Sequence, residues 1–211
     1  MYGFGELWFF AILKEKLRDF TRVKLKTEDF VCSAESLGNS DEGKSAIYVL
    51  GGTQESLRLK YRLAASLYGG GSAETILVMH QEGITQYASD LGRNLTNREW
   101  SERQLANLGV DDENIEFIDI EPGFFGTFSE AGTLAKLSED KGMNRLFLVC
   151  LSYHCKRVEA AFGAFFHDES TIIEICKVDN NTSARGLLFE YGKLIVYENI
   201  LIPYKKWTDS R

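Results

Sequence analysis

The segment Leu146-Phe-Leu-Val-Cys-Leu-Ser-Tyr-His-Cys-Lys-Arg-Val-Glu-Ala-Ala-Phe162 decides the fold of this chain. Its apolar start, Leu146 to Leu151, predicts a buried strand. Apolar residues then return at the i, i+3, i+4 and i+7 spacing of an amphipathic helix, at Val158, Ala161, Phe162 and Phe165. Polar residues fill the junction between the two: Ser152, Tyr153, His154, Lys156 and Arg157. The segment therefore predicts polar groups at the carboxyl edge of a sheet, which is where open α/β folds bind ligands.

The same alternation of strand and helix runs along most of the chain. Apolar runs predict strands at 46–50, 75–79, 115–120, 146–151 and 171–176, and amphipathic patterns predict helices between and after them. This order predicts a three-layer, Rossmann-like α/β fold with a mostly parallel sheet of about five strands and helices on both faces. Right-handed crossovers then bring every strand-to-helix loop to one edge of the sheet.

The N-terminal part of the chain differs from the rest. Residues 1–45 predict an amphipathic helix at 6–20 followed by a polar, turn-rich linker at 35–45, and residues 46–211 predict one α/β domain. The helix carries Phe10, Leu13, Leu17 and Phe20 on one face. Packing on the domain, binding at a membrane surface and binding a partner all remain open for this helix.

Charge and hydropathy limit the classes of partner. The chain has 31 acidic and 24 basic residues and a net charge of -7, which disfavours nucleic acid. A local basic cluster can still bind a small anionic ligand. The apolar run Leu7–Leu13 is too short for a membrane span, which needs about 20 residues. We predict no transmembrane segment and a cytoplasmic protein, with peripheral membrane association as the alternative; the oligomeric state stays open.

The four cysteines predict neither a metal site nor a redox motif. Cys32, Cys150, Cys155 and Cys176 form no CxxC and have no histidine at zinc-ligand spacing. Cys150 and Cys176 fall in predicted strands, and we interpret them as buried thiols. Buried thiols favour a reducing compartment.

Two glycines follow the first predicted strand. Gly51 and Gly52 allow the backbone to approach a ligand closely, and the N-terminus of the following helix can hold an anion. A pair of turn glycines with no ligand is the alternative. The chain contains no GxGxxG and no GxxxxGK[ST], so the sequence predicts neither a dinucleotide fingerprint nor a P-loop.

His154 and Arg157 are the strongest candidates for ligand chemistry. His154 can serve as an acid/base group or donate to a phosphate, and a structural histidine is the alternative. Arg157 offers a planar fork to two phosphate or carboxylate oxygens, and a salt-bridged structural residue is the alternative. A nucleophilic Cys155 is disfavoured, because adjacent residues on a helix point about 100° apart.

The loop after the third predicted strand adds two candidates. Thr127 predicts a helix N-cap, with Glu130 three residues later completing a capping box. Its functional alternative is a hydroxyl that faces the ligand. Glu121 is either a surface charge or a carboxylate that holds a basic partner such as Arg157.

These residues resemble a known family in order and spacing. The matching residues are Ile47-Tyr-Val-Leu-Gly-Gly52, Leu108-Gly-Val110, Glu121, Thr127 and Tyr153-His-Cys-Lys-Arg157. They resemble the YdcF/SanA/ElyC-like family, a bacterial domain of unknown function with a Rossmann-like fold, over roughly residues 46 to 200. The resemblance implies site positions at Gly51, Gly52, Glu121, Thr127, His154 and Arg157, with either Arg58 or Arg62 as the family's helix arginine.

The family has been associated with envelope integrity, with peptidoglycan and lipid-carrier metabolism, and in one branch with binding of S-adenosylmethionine. The resemblance implies such roles without a secure reaction. This chain departs from the pattern in having Met79-His80-Gln81 where the family usually has Ser-Gly-Gly, which makes His80 an added candidate. Cys150-Leu151 replaces a Thr/Ser pair. We therefore expect a divergent member.

Together these observations predict a ligand cleft formed by the loops around Gly51, His80, Thr127 and His154. We expect a small phosphate-bearing or nucleotide-like ligand held by the glycine loop and Arg157, with hydrolysis or transfer through His154 left open. A non-catalytic nucleotide or S-adenosylmethionine binding module is one alternative. An interaction protein that uses the N-terminal helix is another.

Overall fold

The computed structural model describes residues 43–121, 125–166, 170–180 and 183–210. The predicted helix at 6–20 and nearly all of the linker at 35–45 lie outside the described residues. The division of the chain at residue 45 therefore stays a prediction, although the first strand already begins at Lys44.

Five parallel strands form the central sheet, as the sequence predicts. The strands in the described part of the chain are β1 (Lys44–Val49), β2 (Thr75–Met79), β3 (Ile84–Ala88), β4 (Arg93–Thr96), β5 (Ile115–Ile118), β6 (Met143–Leu151) and β7 (Ile172–Val178). The central sheet has the order β5-β2-β1-β6-β7, and all of its pairings are parallel. The first described strand, β1, is central in the sheet. β2 and β5 follow on one side of β1, and β6 and β7 then follow on the other side, which is a Rossmann-like order.

The described residues form six α-helices, which pack on both faces of the sheet and follow it at the C-terminal end. They are α1 (Gln54–Gly69), α2 (Asn97–Ala106), α3 (Gly126–Lys141), α4 (Cys155–Gly163), α5 (Ala184–Val196) and α6 (Ile202–Asp209). A 3-10 turn, Ser152–His154, joins β6 to α4, and a π-helical turn, Tyr197–Leu201, joins α5 to α6. In the described residues, no helix combines the length and the apolar character that a membrane span requires.

Alternate residues of the central strands point to opposite faces, which builds two cores. Ile47 and Val49 of β1 face the layer of α1 and α2, where Tyr61 and Trp100 are buried. Tyr48 of β1 faces the layer of α3 and α4. This period of two residues explains why β1 is apolar from Ala46 and β6 from Leu146, since both faces of these segments are covered. The three-layer fold is confirmed.

The β3–β4 hairpin is a feature that the sequence analysis missed. It forms a separate antiparallel pair between β2 and α2. Its apolar residues give no alternation, because Ile84 and Tyr87 are largely exposed. Only Leu95 and Ala88 are buried among its apolar side chains. A short hairpin with so little buried area has a weak sequence signal.

Helix α5 lies against the turn that follows β6. Leu187 and Leu194 of α5 are buried, and Tyr153 and Ala160 pack against them. Helix α5 thereby covers the junction between β6 and α4. This packing positions Glu190, on the buried side of α5, toward the carboxyl edge of the sheet.

Candidate ligand site at the carboxyl edge

The connections after β1 and β6 leave the carboxyl edge of the sheet toward opposite faces, and we call the region between these two connections the crevice. The two strands pair in parallel up to Val49 and Val149, and α1 then packs on one face of the sheet while α4 packs on the other. Gly52 and Thr53 are exposed on one side of the crevice, and Tyr153 and His154 are half-buried on the other. Such a switch point is the usual ligand position in open α/β sheets.

Lys60 lies directly beneath the loop that contains Gly51 and Gly52, which we call the glycine loop. It belongs to α1, yet only 2% of the residue is exposed. Its Nζ atom donates to the carbonyl oxygens of Leu50 and Gly51, the latter at 2.9 Å. Burial lowers the pKa of Lys60 to about 8, although Glu130 works against this effect. The ammonium group is therefore still mostly charged at neutral pH and supports the backbone of the loop.

The glycine loop, Gly51–Gly52, is closely surrounded by side chains. A methyl group at Gly51 would lie 2.4 Å from Met79 Cε and 3.1 Å from Glu130 Oε1. At Gly52 it would lie 2.5 Å from Ser56 Oγ and 3.2 Å from Lys60 Nζ. A side chain at Gly51 would therefore displace Met79, and one at Gly52 would displace Ser56. α1 starts just after the two glycines, where the Thr53 hydroxyl caps the helix by accepting from the Ser56 amide.

Glu130 meets the loop from the opposite layer. It stands on the buried side of α3 and is 6% exposed. Burial raises the pKa of Glu130 to about 7, against the lowering effects of Lys60, Arg157 and the Gly51 amide. The side chain is therefore close to half ionised at neutral pH. Lys60 and Glu130 hold the same glycine loop from its two sides.

The phenol of Tyr48 adds an uncompensated polar group to this cluster. Burial raises the pKa of Tyr48 well above its usual value, and the neighbouring Glu130 raises it further. Among the described residues, neither the Tyr48 hydroxyl nor Glu130 Oε2 has a partner at standard hydrogen-bond geometry. The Tyr48 phenol and the Glu130 carboxyl still interact, and this interaction raises the pKa of Tyr48 and lowers that of Glu130. Buried polar atoms without a partner are rare in folded proteins.

Arg157 forms the centre of a second polar cluster, on the α4 side of the crevice. Its side chain is buried, and Nε donates to Glu190 Oε2 at 3.0 Å. The two terminal nitrogens contact the Thr127 hydroxyl and His154 Nε2. The guanidinium carbon lies 5.5 Å from the centre of the Tyr197 ring. Arg157 is therefore fully engaged by the protein.

The protonation state of His154 follows from its burial and from its contact with Arg157. Burial lowers the pKa of His154 to about 3, with Arg157 as the next cause, and Glu190 only partly offsets these effects. A guanidinium can only donate, so Nε2 of the neutral imidazole accepts from Arg157 and the proton resides on Nδ1. His154 Nε2 and Glu190 Oε2 are 3.0 Å apart, and both atoms accept from Arg157.

Glu190 stays ionised in this cluster. Burial pushes its pKa upward, but His154, Arg157 and Lys193 together lower the pKa below its usual value. Since His154 is neutral near pH 7, the lowering at that pH comes from Arg157 and from Lys193, whose Nζ lies 2.7 Å from Glu190 Oε1. One carboxylate thus serves two cations.

The charges of the crevice sum to a positive value at neutral pH. Lys60, Arg157 and Lys193 are the cations, and Glu190 is the ionised carboxylate, while Glu130 is close to half ionised. The chain as a whole carries a net charge of -7. The site is therefore a local positive region in an acidic protein.

Thr127 contributes to the site, but not as the predicted N-cap. The residue before α3 is Phe125, which makes no side-chain cap, and Thr127 lies inside the first turn. Its hydroxyl accepts from Arg157, and Glu130 is drawn under the glycine loop instead of bonding back to the helix start. The predicted capping box of Thr127 and Glu130 is wrong. A capping box does occur at the start of α2, formed by Thr96 and Glu99.

The other predicted residues lie outside these two clusters. Glu121 is an exposed surface charge whose Oε1 lies 3.3 Å from Lys136 Nζ, so it is not the carboxylate that holds Arg157. His80 is partly exposed, and its Nδ1 lies 2.7 Å from Asp119 Oδ1 at the ends of β2 and β5. Arg58 and Arg62 are both exposed on α1. Arg58 contacts Gln86 of the hairpin and the ring of Trp100.

Sequence reasoning missed Lys60 and Glu190. Both are charged residues on helices, a type that is usually exposed. The available signal was their position: Lys60 follows Leu57 by three residues and Glu190 follows Leu187 by three, which places each charge on the apolar side of its helix. A charge on the apolar side of a helix beside a glycine loop or a basic turn is worth testing as a site residue.

The cysteines divide into two kinds. Cys150 and Cys155 are buried free thiols whose Sγ atoms are 2.9 Å apart. Cys176 is also buried, but it is disulfide-bonded. The thiol interpretation is confirmed for Cys150 and wrong for Cys176, so the cysteines no longer favour a reducing compartment. The described residues hold no group of three or more His, Cys, Asp or Glu that could bind a metal ion.

Comparison with protein-family models gives no match for this chain, and comparison with curated proteins gives none either.

Proposed function

We propose that the chain binds a small phosphate-bearing or nucleotide-like anion in the crevice between the β1–α1 loop and the β6–α4 turn. The observation that carries this proposal is the excess of positive charge that Lys60 and Arg157 place at the switch point of an acidic protein. The ligand's anionic group would lie over Gly52 and Thr53, at the N-terminus of α1, where helix-terminal backbone amides and the helix dipole favour negative charge.

The two clusters have different roles in this proposal. Lys60 supports the anion through its charge and by fixing the carbonyls of Leu50 and Gly51, so that the loop presents amides to the crevice. Arg157 is held by Glu190 and acts through position: it fixes His154 at the opposite wall. Direct contact between Arg157 and the ligand would require Glu190 to release part of the guanidinium.

A reaction at this site remains a separate proposal. His154 is neutral at physiological pH and, with a pKa near 3, a weak base. Glu130 has the pKa that suits proton transfer near neutrality. A test for hydrolysis or transfer therefore needs substitutions of Glu130 as well as of His154. A cytoplasmic location stays part of the same proposal.

Membership of the YdcF/SanA/ElyC-like family is likewise proposed, on the residues quoted above. The glycine loop, Thr127, His154 and Arg157 of the resemblance meet at one edge of the sheet, while Glu121 and both helix arginines lie apart. A role in the cell envelope and binding of S-adenosylmethionine follow only from that resemblance. For this reason the binding experiment includes S-adenosylmethionine and a polyprenyl phosphate as ligands.

A thermal-shift panel tests the binding proposal. The panel contains inorganic phosphate, ADP, ATP, a polyprenyl phosphate and S-adenosylmethionine, with adenosine as the uncharged control. A ligand at 100 times its Kd stabilises the folded state by about 2.7 kcal/mol, which shifts the Tm of a chain of this size by about 5–10 °C. Lys60→Met should abolish the shift, whereas Lys206→Met, an equal charge change on exposed α6, should leave it intact.

The outcomes separate the alternatives. Loss of binding in Arg62→Met but not in Lys60→Met would move the ligand to the outer side of α1 and reject the crevice. Turnover that His154→Ala removes while affinity survives would establish an enzyme. Absence of a shift with every anion would reject the proposal, and the interaction hypothesis for residues 6–20 would then be tested by deleting residues 1–20.

A further inference from the structure

The thiols of Cys150 and Cys155 form a second reactive group at the same edge of the sheet. Cys150 is near the end of β6 and Cys155 is the first residue of α4. Their Sγ atoms are 2.9 Å apart, and both side chains are completely buried. A disulfide has an S–S distance of about 2.05 Å, so the two sulfurs need to approach by only about 0.9 Å.

We propose that Cys150 and Cys155 are a modification site: a dithiol that a small disulfide, such as oxidised glutathione, converts into an internal disulfide. The proposal rests on the proximity of two free thiols and does not depend on the anion-binding function.

The reaction balances as two thiol–disulfide exchanges. One cysteine thiolate attacks a sulfur of the small disulfide, forms a mixed disulfide and releases the first small thiolate. The second cysteine thiolate attacks the protein sulfur of that mixed disulfide, forms the Cys150–Cys155 bond and releases the second small thiolate. The protein loses two electrons and two protons, and the small disulfide gains the electrons and becomes two thiols.

Access to the sulfurs depends on the turn between them. Only Leu151 and the 3-10 turn Ser152–His154 separate the two cysteines, and Tyr153 and His154 are partly exposed. Opening of this turn exposes both thiols without unfolding the sheet. Burial raises the pKa of Cys150 well above its usual value, with the Cys155 thiol adding to the rise and with Lys60 and Arg157 opposing it. The rate of oxidation should therefore increase with pH, because the thiolate is the reacting form.

The internal bond would tie the end of β6 to the start of α4. His154 lies between the two bonded residues, and Arg157 lies two residues beyond the second. The bond would therefore restrict the wall of the crevice that these side chains form. Its formation and reduction can be followed on the chain itself, with no ligand present.

Peptide mapping after oxidation tests the proposal on the full chain. The native protein is incubated with oxidised glutathione or with dithiothreitol, alkylated with iodoacetamide and cleaved with trypsin. Trypsin releases both cysteines on one peptide, 146–156, while Cys32 and Cys176 fall on the peptides 27–44 and 158–177. After oxidation, peptide 146–156 should carry no alkyl group and should be lighter than the dithiol form by two hydrogen atoms. Dithiothreitol should restore two alkylation sites.

Two control variants and a denaturant series complete the experiment. Cys150→Ser and Cys155→Ser each leave one thiol on the peptide, so they should yield at most one mixed disulfide with glutathione. The proposal is overturned if wild-type peptide 146–156 remains doubly alkylated in native buffer, or if it acquires two glutathiones. It is also overturned if oxidation occurs only at urea concentrations that unfold the chain, as monitored by circular dichroism.

Discussion

Replacing Glu130 by glutamine should change the pH dependence of folding stability in a defined direction. The folded-state pKa of Glu130 is about 7, against an ordinary value of 4.5. Because the folded pKa is raised, the folded state holds its proton in a range where the unfolded state has released it. The stabilising effect is complete below about pH 4.5 and is lost as the pH rises through 7.

The magnitude follows from the two pKa values. A shift of one pKa unit corresponds to about 1.4 kcal/mol. Between pH 5 and pH 7.5 the wild type should lose roughly 2–3 kcal/mol of unfolding free energy through this group. The amide of the Glu130→Gln variant cannot titrate and mimics the neutral acid. The stability of this variant relative to the wild type should therefore rise by the same amount over that range.

Urea titrations at several pH values between 5 and 8 measure this difference. The comparison with the variant is essential, because His154 contributes an opposite slope: its pKa is lowered from 6.5 to about 3, so its contribution to stability grows with pH between those values. Equal m-values would show that only stability has changed. A difference between the two proteins that stays constant with pH, or that falls as the pH rises, would refute the assignment of a raised pKa to Glu130.

Three further perturbations test the other contacts of the site. Arg157→Met should destabilise the fold by about 3 kcal/mol, because Glu190 loses the buried one of its two cations and keeps only the half-exposed Lys193, and adding Glu190→Gln should recover part of that loss in urea denaturation. Lys60→Met should lose stability relative to the wild type as the pH rises from about 8 to 10.5. The folded-state pKa of Lys60 is lowered to about 8, so the free-energy cost of burying its charge is lost as the pH rises to the unfolded-state pKa. A difference in unfolding free energy between the two proteins that does not change over that range would contradict the assignment. Gly51→Ala should cost about 1–3 kcal/mol by crowding its neighbours, whereas Gly192→Ala, at an exposed position of α5 that meets nothing within 4 Å, should add up to about 1 kcal/mol in thermal melts.

The parallel sheet could be predicted from sequence because its strands are covered on both faces. β1 from Ala46 and β6 from Leu146 are continuous apolar runs, and the structure buries Ile47, Tyr48, Phe147 and Leu148 completely. Such continuous apolar runs predict buried strands without any knowledge of how the side chains pack. The β3–β4 hairpin gives no such signal, since Tyr87 and Ile84 face solvent and the pairing is local.

The candidate site could be predicted only in part. The loops that carry Gly51 and His154 follow predicted strands, so their meeting at one edge is a consequence of topology. Which charged residues turn inward depends on tertiary packing: Glu190 reaches Arg157 from a helix 33 residues further along the chain. Arg58 and Lys60 differ by two positions on one helix, yet one is exposed and the other buried.

The strand order has a consequence for how the chain acquires its structure during synthesis. β1 pairs on one side with β2, which follows soon after it, and on the other side with β6, where Met143 lies 99 residues beyond Lys44. A nascent chain that ends before residue 143 therefore presents one open edge of β1, the central strand of the sheet. Contacts so distant in sequence form late and slowly, and open apolar edges attract other strands. Any truncation that removes β6 should yield a protein that self-associates, even if β1, α1 and β2 have already formed.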